Sequence, residues 1–284
     1  MEGELWERMY QLLQRLGNQY ARKGVVFSDK WIVAIYLWAV VHDRPVCWAA
    51  DRRNWPASLV AALPSPSTLS RRLKTPSVRA LQARLEQLAA AQLPTGLYKW
   101  IDAKPLPIGR CSKDRQAGYG PCAGGMAKGY KLFALCDSHG RLEAWRVGPM
   151  NADEKIMSCR LLAHIQATGY LTGDSNYDAS RVYATAGSAG LVLVADKRGG
   201  AGLGHRPQRP ERLRSIDLQR RPFGQALLMQ RNGIERIFGH LTCAAAALQP
   251  LPAWVRTHHR VELWVRGKII IYYLRRTMKL TLTA

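Results

Sequence analysis

At residue 94 the hydrophobic pattern of the chain changes period, and that switch limits the folds open to it. Before it, apolar residues recur at helical spacing. Leu5, Met9, Leu12, Leu13 and Leu16 stripe one helix within residues 4–22, and a second helix covers about 28–42. The stretch "LPSPSTLSRRLKTPSVRALQARLEQLAAA" reads as a short loop and two helices, N-capped by Ser67 and Ser77. Pro94 and Gly96 close the region.

After the switch, "LYKWIDAKPLPI" is strand-like, and "AKGYKLFALCDSHGRLEAWRVGP" is a hairpin turning at Ser138, His139 and Gly140. A helix follows, opened by Asn151 and stopped by Gly169, then the strand "YLTGD", the helix "YDASRVYATAG" and the strand "LVLVADKR". An Arg-rich insert at about 197–221 leads into one helix, "QALLMQRNGIERIFGHLTCAAAAL", and a closing helix containing "VELWVRGKIIIYYLRR" that is expected to pack on the core. Antiparallel pairing followed by β-α-β alternation predicts a mixed sheet with helices on its faces. This is the order of the ribonuclease H-like fold, here preceded by an all-helical domain. The expected division is 1–93 for the helical domain and 94–284 for the sheet domain.

Charge narrows the partners. Lys and Arg number 42 against 20 Asp and Glu, a net +22. An excess spread over nearly every segment favours a polyanion, of which nucleic acid is the usual one. The six cysteines, Cys47, Cys111, Cys122, Cys136, Cys159 and Cys243, include no CxxC pair. Their scatter argues against a zinc ribbon or a disulfide framework and suits a reducing cytoplasm. The longest apolar run, Trp31 to Val41, is about half of the ~20 residues a membrane span needs. The opening "MEGELWERMYQ" is acidic and amphipathic, unlike a signal peptide. A soluble cytoplasmic protein that works on DNA is the expectation.

Three regions offer cations to DNA. The helical domain reads as a small helix-turn-helix-type unit in which Arg71, Arg72 and Lys74 add charge beside hydroxyls that meet phosphate. The insert carries Arg198, Arg206, Arg209 and Arg212 among glycines and prolines, and reads as an arm that orders on DNA. Lys128 and Lys131 in "AKGYKL" form a third patch. A helical cap with a solvated Arg pair and a loose solvated loop are the plainer alternatives.

Two carboxylates stand where strands end: Asp102 in "KWIDAKPL" and Asp174 in "YLTGD". If the first and fourth strands are neighbours, both emerge side by side, and Glu235 of "RNGIERIFGHL" can approach from a helix. Hard oxygen donors of this kind suit Mg²⁺ or Mn²⁺. Each acid has an ordinary alternative: a turn for Asp102, a helix cap for Asp174 and a solvated side chain for Glu235. Asn176 and Asp178 are the better-placed caps, and Glu235 is expected on the buried stripe of Ile234, Ile237, Phe238 and Leu241. Asp137 and Asp196 also end strands and compete.

"WIDAKPL", "AKGYKLFALCDSHGRLEAWRVGPMNADE", "YLTGDSNYDAS" and "RNGIERIFGHL" resemble, in order and spacing, the DDE transposases of bacterial insertion sequences. The resemblance covers most of residues 97–275 and is to the branch with a compact ribonuclease H-like core. It implies that Asp102, Asp174 and Glu235 are the catalytic acids and hold two Mg²⁺ or Mn²⁺ ions. It further implies cut-and-paste DNA transposition, with nicking at element ends and transfer of the freed 3′-hydroxyl to target DNA. Terminal inverted repeats, target DNA and a second copy of the chain are the implied partners. Relatives place a tyrosine, an arginine and a lysine around the glutamate. Arg231 matches the arginine, whereas Leu228 and Thr242 occupy the other two positions, so Arg236, His240 or the insert are expected to contact the DNA end. The rivals are a nuclease on the same fold, which cuts without joining, and a DNA-binding protein of transposase descent whose catalysis has lapsed.

Overall fold

The structure, a computed structural model, describes residues 2–17, 24–59, 62–109, 111–199, 203, 207–243 and 246–282. The chain divides into two compact units, one of Met1–Leu93 with Leu241–Ala284 and one of Pro94–His240.

The first unit contains α1 (Glu2–Arg15), α2 (Asp29–Val41), the short α3 (Val46–Ala49), α4 (Pro66–Arg72) and α5 (Pro76–Ala90). Ser28 caps α2 by accepting from the Trp31 N–H at 3.2 Å. The caps of α4 and α5 are Ser65 and Thr75, not Ser67 and Ser77, because Pro66 and Pro76 take the first helical position. A proline there has φ preset and gives up a donor that would be unpaired anyway. Helix α2 is apolar on nearly every side, with Ile32 to Val41 all buried, so it needs cover all round. Helices α1 and α5 supply part of it, and the closing helix α11 (His258–Leu282) supplies more. Residues 241–284 therefore cluster with the first helices, where the expected division assigned them to the sheet domain of 94–284. Indoles fill this core: Trp6 and Trp38 meet edge to face at 5.8 Å, and Trp38 stacks on Trp55 at 4.7 Å.

The second unit is built on β1 (Tyr98–Pro107), β2 (Gly118–Cys122), β3 (Gly125–Asp137), β4 (Leu142–Pro149), β5 (Gly169–Gly173) and β6 (Leu191–Ala195). The six strands run in the order β2-β3-β1-β5-β6, with β4 also on β3. Strand β1 is antiparallel to β3 and parallel to β5, and β5 is parallel to β6. This is the mixed sheet the sequence predicts. Strand β2 was not anticipated, because "GYGPC" has neither β-branched residues nor alternation and is held by its pairing to β3.

Helices α6 (Glu154–Leu162) and α7 (Ser180–Ser188) bring Leu162, Val182, Tyr183 and Ala186 against Ile101, Leu135, Leu171 and Leu193. Asp153, not Asn151, caps α6, accepting from the Ile156 N–H at 2.8 Å. The basic insert is in large part helical. Residues Pro210–Gln219 form α8, which packs on β6, and Pro222–Met229 form α9. The single helix expected over 225–248 is broken into α9, a 3₁₀ turn at Gln230–Asn232 and α10 (Gly233–Thr242). Among the described residues no helix is long and apolar enough to cross a membrane.

Arg212 of α8 anchors the insert. Its Nε and Nη2 donate to the two oxygens of Asp178 at 2.6 and 2.7 Å, and the Arg198 N–H adds a third bond at 2.8 Å. Burial raises the Asp178 carboxyl, but these bonds and the Arg212 charge outweigh it and hold the group below its ordinary value. A depressed folded pKa contributes stability that is complete above the unfolded value and is lost as pH falls through the folded one. Urea unfolding of an Asp178→Asn variant should therefore show less acid sensitivity below about pH 4 than the parent. Equal acid sensitivity in both would remove this pair from the explanation.

Candidate active site

Register brings the two aspartates together. Strands β1 and β5 pair in parallel from Tyr98↔Tyr170 to Trp100↔Thr172. Asp102, within β1, and Asp174, just past the end of β5, each stand two residues beyond that last pair. Strand β1 itself continues to Pro107 against β3, so Asp102 marks the end of the parallel ladder and not the end of its strand.

Each aspartate is half-buried and held locally. Asp102 accepts the Ala103 N–H at 2.7 Å. Asp174 accepts from the Asn176 backbone at 2.9 Å and from its side-chain amide at 3.3 Å, and so also caps the turn Ser175–Tyr177. Asn176 and Asp178 are not the caps the sequence favoured. Gly173 precedes Asp174 because a Cβ there would meet the Tyr177 ring at 2.7 Å and Ile101 at 3.2 Å.

Glu235 sits in the first turn of α10 and is exposed, and it does not share the buried stripe. That helix begins where it does because Gly233 lies flat on the Trp100 indole, leaving no room for a Cβ, while the Trp100 Nε1–H donates to the Gln230 carbonyl at 2.8 Å. Gly233→Ala must push α10 away from β1. Overpacking of this kind is expected to cost about 1–3 kcal/mol in stability. An unchanged melting temperature would show that the indole yields without moving the helix.

Electrostatics joins the acids into one neighbourhood. Burial, followed by the charges of Asp174, Glu154 and Glu235, pushes the Asp102 carboxyl up to about 6, against the bond from Ala103. Asp174 is raised by burial and by Glu154 and Asp196, and is lowered by the Asn176 N–H and by Arg231. Glu154 is thus a fourth acid beside both aspartates. Sequence reading missed it because an acid in the first turn of a helix is ordinary. Among the described residues no three Asp, Glu, His or Cys side chains already converge as a finished ligand set. The donors are hard oxygens and their charges repel, so this acid group fits a divalent cation in chemistry and in sign.

The competing acids have other work. Asp137 is buried and accepts the N–H groups of Gly96, His139 and Arg141 at 3.0, 2.9 and 2.9 Å. Asp196 pairs with Arg231, which places that arginine beside Asp174.

The expected DNA-binding cations separate into two groups. Arg72 is buried on Asp29, Lys131 on Glu154 at 2.7 Å and Arg212 on Asp178. Their charges are committed inside the fold, which withdraws them from phosphate binding. Lys128 donates to the Ser112 carbonyl at 2.8 Å. Arg71, Lys74, Arg198, Arg209 and Arg236 are exposed. Arg206 lies outside the described residues.

No curated protein matches the chain. The family model for the transposase DDE domain matches residues 98–273, which takes in β1 with Asp102, β5 with the following Asp174, and α10 with Glu235. Strand order, paired aspartates and this match agree: the chain belongs to the DDE transposase family.

Proposed function

We propose that this transposase cuts DNA at the ends of its element and joins the freed 3′-hydroxyl to target DNA, with Asp102, Asp174 and Glu235 as a metal-binding acid set. The observation that carries the reading is the equal offset of Asp102 and Asp174 beyond the Trp100↔Thr172 pair. When bound there, Mg²⁺ or Mn²⁺ would activate the attacking oxygen and offset charge on the leaving one. The chain's own contribution is placement. The Ala103 and Asn176 N–H groups fix the two carboxylates, and α10 presents Glu235 from an exposed position that can close on DNA. Arg231, paired with Asp196, keeps a positive charge at the rim for a phosphate. Terminal inverted repeats and target DNA are the proposed substrates, and a dimer is proposed to hold both ends.

Purified protein, Mg²⁺ or Mn²⁺ and labelled DNA carrying the sequences that flank its gene test this reading. End-specific nicking followed by joined products is the expected result. Cutting without end preference or joining would move the assignment to a nuclease, and end-specific binding without cleavage would identify a lapsed enzyme.

A further inference from the structure

A second site lies in the helical unit. A partly enclosed cavity of about 200 Å³ opens between the N-terminus of α11, the end of α4 and the segment before α3. Its apolar wall includes Trp254 and Trp264, and Arg44, Lys74 and Arg260 are among its lining residues. No described residue that lines it is acidic. This is a cationic mouth on an aromatic floor.

Two residues of this lining, Trp264 and His259, carry a buried polar atom with no partner among the described residues. Trp6, Trp31, Trp38 and Trp55 each donate their indole N–H to a backbone carbonyl, at 2.8, 2.9, 2.9 and 2.8 Å. Trp264, only 2% exposed, does not, and its Nε1 is buried and unpaired. The His259 Nε2 is likewise buried and unpaired. Both atoms are closed off from solvent, so an occupant would be held by the exposed Trp254 ring and the lining cations and not by these two groups. Burial first, then the charge of Arg79, lowers the His259 pKa, with Lys74 and Arg260 adding to this and Glu262 opposing it. That crowd of cations, at the start of a 25-residue helix, gives the region a positive potential.

We propose that this cavity is a nucleotide-binding site, taking one aromatic base against the exposed Trp254 indole and the attached phosphate at Arg44, Lys74 and Arg260. Size limits the occupant to a single unit. A cavity of roughly 150 Å³ holds benzene, and this one is larger by less than a second ring. Stacking on an indole with cations at the backbone is how proteins hold unpaired nucleotides without reading their sequence. A nucleotide could come from an unpaired position in DNA or from solution, and the net charge of +22 favours DNA. The site shares no residue with the acid set and does not depend on its chemistry.

The test uses the full chain in EDTA, so binding is read apart from metal-dependent cleavage. Probes are a duplex with one bulged adenine, the same duplex fully paired, dAMP and inorganic phosphate. Trp254→Ala and Arg260→Ala change residues at the exposed rim, and circular dichroism checks that both variants fold. The bulged duplex is expected to bind about tenfold more tightly than the paired one, with the preference lost in both variants. Saturable dAMP binding lost in both variants, without a bulge preference, would keep the site and assign it to free nucleotide. Absence of both effects, persistence of either in the variants, or phosphate competing as well as dAMP would overturn the proposal. Failure here leaves the acid set untouched, and failure of end cleavage leaves this site untouched.

Discussion

Asp102→Asn and Asp174→Asn are each expected to lower end cleavage and joining by about a thousandfold or more, the equivalent of ~4 kcal/mol in the barrier. Neither should unfold the protein. Asparagine keeps the shape and can still accept the Ala103 or Asn176 N–H that each aspartate accepts at 2.7 or 2.9 Å. It removes only the charge, and that charge is unfavourable in the fold, because burial and the neighbouring acids raise both carboxyls. The melting temperature of Asp102→Asn should therefore equal or exceed that of the parent while activity is lost. Gel-shift affinity for end DNA measured in EDTA should hold. A variant that loses stability and activity together would mean that the aspartate is structural. One that keeps activity would remove it from the site.

The second large effect is on stability. Arg212→Ala leaves Asp178, whose side chain is 2% exposed, charged and without its bidentate partner. Breaking a buried pair from one side typically costs 3–5 kcal/mol, roughly half the margin of a typical domain. Urea unfolding should show that loss, together with early release of α8, whose Gln219 also reaches the Ala195 carbonyl at 2.8 Å. Arg209→Ala, in the same insert but exposed, should change stability by no more than about 0.5 kcal/mol. If it contacts phosphate it should instead weaken DNA binding and reduce the salt slope by about one. Equal stability of the two variants would contradict the anchoring role assigned to Arg212.

This contrast shows what was legible in the sequence. The strand order could be read, because β1, β3, β5 and β6 carry apolar residues that suit a buried sheet. The neighbouring placement of the two aspartates could be read too, since each follows such a run. Strand β2 could not, because its Gly-Tyr-Gly-Pro-Cys is held by a partner strand and not by its own side chains. Nor could the fate of Arg72, Lys131 and Arg212. Each looks like a surface cation until the fold brings up Asp29, Glu154 or Asp178 from a distant segment. Glu235 failed in the other direction: helical periodicity put it near the apolar stripe, but the packing of Gly233 on Trp100 leaves it facing out. Glu154 carries no local signal at all, and its place beside Asp102 and Asp174 exists only once α6 is packed.

The central claim, that these carboxylates bind the ion that drives strand transfer, is tested most directly by Asp174→Cys. A thiolate is a poor ligand for Mg²⁺ and a more acceptable one for softer ions. Joining of labelled element ends by this variant should fail in Mg²⁺ and return in Mn²⁺, while the parent works in both. Joining by the variant in Mg²⁺ at the parent's rate would show that Asp174 does not hold the metal.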